Sequence, residues 1–106
     1  TDNRLKLKEL IVSPGKGMSF QRHLYRNEIW FVSKGKCLIN FSESDKNTYE
    51  EILLKTEQSF HVPVEAWHQI TNPFKEPCHI IEIQYGEKTS EDDIERLRYF
   101  EANDKV

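Results

Sequence analysis

The sequence predicts an all-β single domain: a closed jelly-roll barrel of two sheets, followed by a short C-terminal helix. Three observations support this prediction. Short strand-like apolar runs recur along the chain, turn residues separate them, and only the last segment has a helical pattern. At 106 residues the chain can build one hydrophobic core but not two, so we assign a single domain over residues 1–106.

The strands are predicted in order from their apolar patterns. Leu5–Val12 begins in alternation and stops at a Ser-Pro-Gly turn signal. The run Glu28–Ser33 reaches a turn at Gly35 and returns as Cys37–Phe41, which predicts a β-hairpin. A polar stretch over residues 42–48 predicts an exposed turn. Further strands are predicted at residues 49–54, 59–62, 67–71 and 78–84.

The helix is predicted over about residues 90–100. Ser90 and Asp93 can form a capping box, and acidic residues crowd the first turn. Ile94 and Leu97 can then pack inward. No internal repeat or low-complexity segment interrupts the pattern.

Charge and composition argue against several classes of partner. The net charge is -3 with both signs interspersed, which argues against a nucleic-acid surface. The sequence has no signal-peptide pattern and no apolar run of about eighteen residues, so we expect a cytoplasmic protein without membrane contact. Cys37 and Cys78 lie in apolar strand-like runs, which favours small buried side chains over a disulfide or a metal role.

Two segments place potential metal ligands at informative spacings. Gln21 and His23 are two residues apart, so on a strand both side chains leave the same face. Glu28 follows after a polar stretch, and His68 comes from a second cluster, Pro63–Asn72. Two imidazoles, a carboxylate and an amide suit a divalent metal, with zinc, cobalt, nickel, manganese and iron all open. The alternative is a set of polar residues on a hydrated sheet face.

These residues resemble the two signature motifs of the cupin superfamily, over residues 15–35 and 57–72. The first motif is matched by Gly15, Gln21, His23, Glu28 and Gly35, and the second by Pro63, His68 and Asn72. Two positions depart from the general pattern. Gln21 stands where many cupins have a first His, and Glu65 stands where they have Gly.

Within the superfamily, the string Gln-x-His-x-x-Arg-x-Glu-x-Trp is similar to the C-terminal domain of type II phosphomannose isomerases. These are bifunctional mannose-6-phosphate isomerases and mannose-1-phosphate guanylyltransferases. The string is formed by Gln21, His23, Arg26, Glu28 and Trp30, and residues 81–86 and 91–96 resemble the closing motif. Glu57 replaces a frequent Asn, and the family's Tyr-Gly-Arg ending is not matched after Arg96. No Gly-rich, Lys-bearing nucleotide signature occurs, so guanylyl transfer is not expected of these residues.

The resemblance implies a cupin fold and conversion of mannose 6-phosphate to fructose 6-phosphate through an enediol. It implies a divalent metal held by Gln21, His23, Glu28 and His68. The alternative for Gln21, a weak ligand, is a hydrogen bond to water or substrate. The resemblance also gives Arg26 and Arg96 catalytic and phosphate-binding roles, against the alternative of surface salt bridges.

Tyr25 and His61 are further candidates for the substrate site. Tyr25 stands where the family often has His, and His61 either lines the cavity or faces solvent. The sequence does not single out a catalytic base. By residue type, the candidates are Glu65, Glu82, His61 and Tyr25.

Two other functions fit the same residues. One is a non-catalytic, metal-bound cupin that binds a sugar or a small acid. The other is a cupin enzyme acting on another sugar or nucleotide-sugar, or a metal-dependent oxygenase, which Gln21 mildly disfavours. The expected partners are a small-molecule sugar phosphate and a second copy in a homodimer. The family forms such dimers through its sheets and N-terminal strands, and the alternation over Leu5–Val12 is compatible with that.

Overall fold

The computed structural model describes residues 5–43 and 48–87 and, for residues 94–99, the backbone alone. The described residues form ten β-strands and contain no helix. The strands are β1 Leu5–Val12, β2 Lys16–Gly17, β3 Ser19–His23, β4 Arg26–Lys34, β5 Lys36–Ser42, β6 Glu50–Lys55, β7 Ser59–Val62, β8 Trp67–Asn72, β9 Cys78–Gly86 and β10 Ile94–Tyr99. A helix long and apolar enough to cross a membrane is therefore also lacking in this part of the chain.

The strands form two sheets that pack face to face. The first sheet has the order β1-β9-β4-β7, and the second has the order β10-β3-β8-β5-β6, with β2 paired on β8. All of these pairs are antiparallel. Apolar side chains from both sheets meet in one core. The predicted all-β jelly roll is thus confirmed.

The predicted hairpin around Gly35 is wrong. β4 pairs with β7 and β9, whereas β5 pairs with β6 and β8, so the chain passes from the first sheet to the second at this glycine. Gly35 has a φ of 81°, and a Cβ on it would lie 2.5 Å from the Pro77 carbonyl oxygen. The turn signal was correct, but strand pairing depends on both edges of each strand, which local sequence does not specify.

The predicted C-terminal helix is also wrong where the chain is described. Ile94–Tyr99 forms β10, which runs antiparallel to β3 with Ile94 opposite His23 and Arg96 opposite Gln21. A register shift lies between Arg96 and Arg98. Pairing with the edge of β3 outweighs the local helical pattern, because strand and helix propensities are weak beside tertiary pairing. The predicted cap at residues 90–93 and residue 100 lie outside the described residues.

The core fills one half of the barrel interior. Its centre is formed by Val32, Cys37, Ile39, Cys78 and Ile80, each with no exposed surface. Both cysteines are free and buried, as the apolar runs around them predicted. A hydrogen bond with the neighbouring Cys78 thiol, together with burial, raises the pKa of Cys37, so it remains an uncharged thiol.

Two positions that depart from the family pattern carry strained backbone. Glu57 has a φ of 71° and Glu65 a φ of 70°, in the left-handed region. Glycine and asparagine enter that region more easily than glutamate. This explains physically why Gly and Asn recur at these places in the resembling family.

Candidate metal centre

The other half of the barrel interior holds buried polar side chains. The alternating burial of β4 points Arg26 and Glu28 inward, and β9 does the same for Glu82 and Gln84. β3 and β8 add inward-facing histidines from the opposite sheet. We call this set the polar cluster; its members are His23, Arg26, Glu28, His68, Glu82 and Gln84, all at most 3% exposed.

Three of the predicted metal ligands come together in this cluster. Donor atoms of His23, Glu28 and His68 lie within 4.8 Å of one another. His23 Nε2 lies 3.0 Å from Glu28 Oε2, and His68 Nε2 lies 3.8 Å from Glu28 Oε1. Residues far apart in sequence thus converge as the motif spacing predicted.

The state of His68 fits metal binding. Its Nδ1 lies 3.0 Å from the Ala66 carbonyl oxygen, which can only accept, so Nδ1 carries the proton. Its Nε2 therefore has a free lone pair, and it has no hydrogen-bond partner among the described residues. Burial lowers the pKa of His68 to about 4, so the ring is neutral at pH 7. A buried, neutral imidazole with an unused lone pair is a suitable ligand.

Glu28 is held as a carboxylate. Burial alone would raise its pKa, but the short contact with His23, hydrogen bonding with Glu82 and the nearby His68 ring hold the pKa well below its usual value. Trp30 Nε1 also donates to Glu28 Oε1 at 3.0 Å. An anionic oxygen therefore faces both histidines, and the donor set fits a divalent cation.

Glu82 is the one candidate base that lies inside the polar cluster. Trp30 Nε1 lies 3.1 Å from its Oε2, and Gln84 Nε2 donates to its Oε1 at 3.0 Å. Burial, together with the neighbouring Glu28, raises the pKa of Glu82 to about 8. The other three candidates, Glu65, His61 and Tyr25, are exposed.

Arg26 forms the ion pair with Glu28 that the sequence allowed, but in the interior. Its Nε and Nη2 donate to Glu28 Oε2 at 3.1 and 3.0 Å, and the residue is 3% exposed. Its Nη2 also lies 3.0 Å from His23 Nε2. For Arg26, the salt bridge with Glu28 considered as the alternative is therefore buried and not on the surface.

Gln21 lies beside the proposed ligands, on the strand that neighbours His68. Its Cα is opposite that of His68 across β3 and β8, so both side chains leave the same face. Its Oε1 accepts a hydrogen bond from the Ser19 hydroxyl at 2.9 Å. Ligation by Gln21 requires this bond to break or to be shared, and that requirement was not visible in the motif.

Of the remaining predicted site residues, Tyr25 and His61 lie outside the cluster, and Arg96 is described by its backbone alone. Arg96 lies opposite Gln21 in the β10–β3 pairing. Tyr25 is 41% exposed, next to Arg26 in the chain. His61 is exposed on the outer side of β7, with its Nε2 3.0 Å from the Tyr85 hydroxyl. The structure therefore gives no support to a substrate contact by His61.

Sequence reasoning missed Gln84, which is fully buried and donates a hydrogen bond to Glu82. The only available signal was its spacing of two residues from Glu82 on a predicted strand. A groove of about 790 Å³ lies near the opposite end of the barrel, around Gly35 and Phe74. No member of the polar cluster lines that groove.

Comparison with known proteins places these observations in a family context. A family model described as mannose-6-phosphate isomerase C-terminal matches residues 1–99. The alginate biosynthesis protein AlgA of Pseudomonas aeruginosa is 39% identical over 94 residues, which is 89% of this chain and 18% of AlgA. Mannose-1-phosphate guanylyltransferase 2 of Escherichia coli O157:H7 is 33% identical over 95 residues, 90% of this chain and 18% of that protein. The chain thus spans about a fifth of the length of these relatives.

The fold has counterparts among solved structures. The capsular polysaccharide assembling protein CapF of Staphylococcus aureus superposes with a TM-score of 0.79 at 22% identity. The match covers 92% of this chain and 29% of CapF. At this identity the likeness concerns the fold alone.

Proposed function

This chain belongs to the mannose-6-phosphate isomerase C-terminal family, and on that premise we propose that it is a metal-dependent isomerase of mannose 6-phosphate and fructose 6-phosphate. The observation that carries the proposal is the buried convergence of His23, Glu28 and His68. The family connects the chain with mannose-phosphate metabolism, and the cluster supplies a chemical reason for an isomerase activity.

The proposed metal ligands are His23, Glu28 and His68, with Gln21 as the candidate fourth. A divalent cation held there would act as a Lewis acid and stabilise negative charge on the sugar oxygens. His68 is kept in the correct tautomer by the Ala66 carbonyl, so its lone pair faces the cluster without rearrangement. Zinc, cobalt, nickel, manganese and iron all accept this mixture of donors.

Interconversion of an aldose and a ketose moves a proton between C1 and C2. In our proposal Glu82 carries out this transfer, because it is buried beside Glu28 with a pKa of about 8. A carboxyl group with a pKa near the working pH can both accept and return a proton. Trp30 and Gln84 orient its two oxygens. Arg26, and Arg96 by family position, are the proposed groups for the substrate phosphate.

A second copy of this chain is the proposed macromolecular partner. β1 is at the edge of the first sheet, and its outer side exposes Leu5 (53%), Leu7 (68%) and Ile11 (59%). Such a row of exposed apolar side chains favours association. A cytoplasmic location remains a prediction from the sequence.

The test is conversion of mannose 6-phosphate to fructose 6-phosphate by metal-free protein reloaded with each candidate metal in turn. We expect turnover with at least one metal, and we expect His68→Ala to lose most bound metal and all measurable turnover while staying folded. His79→Ala is the matched control. The His79 side chain is 26% exposed, and its Nδ1 lies 3.6 Å from Glu9 Oε2, away from the polar cluster.

The outcomes separate the proposed function from its alternatives. Loss of bound metal and of turnover in His68→Ala, but not in His79→Ala, would support the isomerase proposal. Folded, loaded protein that turns over no mannose 6-phosphate with any metal would refute it and favour a binding cupin or another sugar substrate. Unchanged metal content in His68→Ala would refute the ligand set itself.

A further inference from the structure

The guanidinium of Arg26 contacts two of the proposed metal ligands. Arg26 Nη2 lies 3.0 Å from His23 Nε2 and 3.0 Å from Glu28 Oε2, and Arg26 Nε lies 3.1 Å from the same carboxylate oxygen. His23 Nε2 is itself 3.0 Å from that oxygen. A positive charge of this protein therefore sits against the atoms that would face a metal cation.

Guanidinium and metal need the same electron pairs. Arginine is always charged and only donates hydrogen bonds, so its contact with His23 Nε2 uses the lone pair that a metal requires. Its contacts with Glu28 Oε2 use the carboxylate in the same way. Arg26 is 3% exposed, so water screens its repulsion of a second cation only weakly.

The charge balance of the cluster agrees with this arrangement. The Glu28 carboxylate is paired with the buried Arg26 guanidinium, with Nη2 3.0 Å from Oε2, so one negative and one positive charge already face each other at the site. Adding a divalent cation while the guanidinium stays in place would bury excess positive charge. Removing one charged partner from a buried pair is costly, which explains why metal-free protein would keep Arg26 inside.

We propose that Arg26 is an internal counter-cation that competes with the metal: it neutralises Glu28 in the metal-free protein and withdraws from His23 and Glu28 when a divalent cation binds. This inference rests on the proposed metal site and deepens it. Metal binding becomes the event that releases a guanidinium for an anionic group of the substrate. A positive side chain and a metal then act in sequence on one site.

The test is the affinity of the metal-free protein for Co²⁺, followed by visible absorption, and for Zn²⁺, by competition with a chromophoric chelator. Arg26→Met keeps the length of the side chain and removes its charge. We expect Arg26→Met to bind both ions more tightly than wild type, by about tenfold or more, because a competing buried charge is gone. We also expect metal-free Arg26→Met to unfold at a lower temperature than metal-free wild type. Adding metal should raise the unfolding temperature of the variant more than that of wild type.

Arg22→Met is the matched control, because Arg22 lies on the other face of β3 with its guanidinium carbon 5.1 Å from the Trp67 ring centroid. Its metal affinity is expected to equal that of wild type. If Arg26→Met does not fold without metal, Arg26→Gln serves, since its amide can still donate to Glu28, and the same increase in affinity is expected.

A purely structural role for Arg26 predicts the opposite sign. In that case losing the guanidinium would disorder His23 and Glu28, and metal affinity would fall together with stability. Unchanged or weaker binding in both Arg26 variants therefore overturns the competition while leaving the metal site standing. Wild-type protein that binds neither Co²⁺ nor Zn²⁺ overturns the metal site and the competition together.

Discussion

The two halves of the barrel interior are lined by the same pair of strands and bury opposite kinds of side chain. In the apolar half, Val32 of β4 lies opposite Ile80 of β9. In the polar half, Glu28 lies opposite Gln84 across the same two strands. All of these residues are at most 1% exposed, so the difference is one of chemistry and not of burial.

Because of this difference, we expect the two halves to contribute differently to folding stability and to metal binding. Apolar burial is favourable without partners, whereas buried polar groups are costly unless each is hydrogen-bonded or paired. In the polar half the pairs are formed by Arg26, Trp30 and Gln84, yet His68 Nε2 has no hydrogen-bond partner among the described residues. The apolar half therefore accounts for stability, and the polar half contains the proposed metal ligands.

The largest expected effect comes from shortening a core side chain in the apolar half. Ile80→Ala should lower the free energy of unfolding by about 2–5 kcal/mol, because it leaves a cavity in a fully buried position. Urea denaturation measures this change. Leu53→Ala, at a position 43% exposed, is the control and should change stability little. Equal effects of the two substitutions would remove the basis for assigning stability to this half.

The next effect concerns the pH dependence of stability in the metal-free protein. Folding raises the pKa of Glu82 from 4.5 to about 8, so the folded state holds its proton more tightly than the unfolded state does. This contribution is fully present below about pH 4.5 and is lost as pH rises through 8. Its size is on the order of a few kcal/mol.

Thermal unfolding of wild type and Glu82→Gln between pH 5 and 9 measures the Glu82 contribution. Glu82→Gln should flatten the decline in this range, because the amide cannot ionise. The depressed pKa of Glu28 acts in the opposite direction, and its contribution is lost only as pH falls below the usual carboxyl range. If the unfolding temperature of Glu82→Gln fell with pH as steeply as that of wild type, the pH dependence would belong to another group.

A smaller effect is expected from relieving backbone strain next to the polar half. Glu65→Gly should raise stability by about 1 kcal/mol, because glycine adopts a φ of 70° without a steric penalty. The Glu65 amide donates to the His23 carbonyl oxygen at 2.8 Å, so the substitution also tests the support of a proposed ligand. Chemical denaturation with a metal titration provides both measurements.

Glu57→Gly is the matched control for that substitution. Its φ is 71°, but its amide donates to the carbonyl oxygen of Val32, beside the apolar half. We expect a similar gain in stability and no change in metal affinity. A loss of stability in either variant would show that the glutamate side chain contributes more than its backbone strain costs.

The smallest effect on folding is expected on the outer side of β1, at the edge of the first sheet. Leu7→Lys should change the free energy of unfolding by no more than about 0.5 kcal/mol within a folded protomer, because Leu7 is 68% exposed. It should nevertheless weaken the proposed homodimer, since a charge would enter its apolar contact. Sedimentation velocity of wild type and variant measures the association. A wild-type protein that stays monomeric at all concentrations would refute the dimer directly.

Local sequence was enough to predict most of the strands, and the motif resemblance added the convergent ligands. Strand alternation and motif spacing depend on residues two to six positions apart, a range over which backbone geometry is fixed by the strand itself. His23 and Glu28 lie within that range, whereas His68 was predicted from the resemblance to the second cupin motif, and the three residues meet in the structure. The same reasoning also predicted free, buried cysteines in the core.

Which strands pair with each other depended on the whole molecule. The hairpin at Gly35 and the helix that overlaps Ile94–Tyr99 were wrong because strand edges pair with whatever lies beside them, and the sequence does not state which edges are open. His61 could line the cavity or face solvent until its strand had a position in the first sheet. The choice of Glu82 among four candidate bases likewise required its burial beside Glu28.

By itself the sequence determined the all-β character, the single barrel and the donor types of the proposed metal site, because these follow from alternation and side-chain chemistry. Only the tertiary structure decided the environment of each donor: that Arg26 lies buried against two of them, that His68 keeps a lone pair and that Glu82 favours its protonated form. The physical reason is that charge state and hydrogen bonding depend on burial and on neighbours from distant strands.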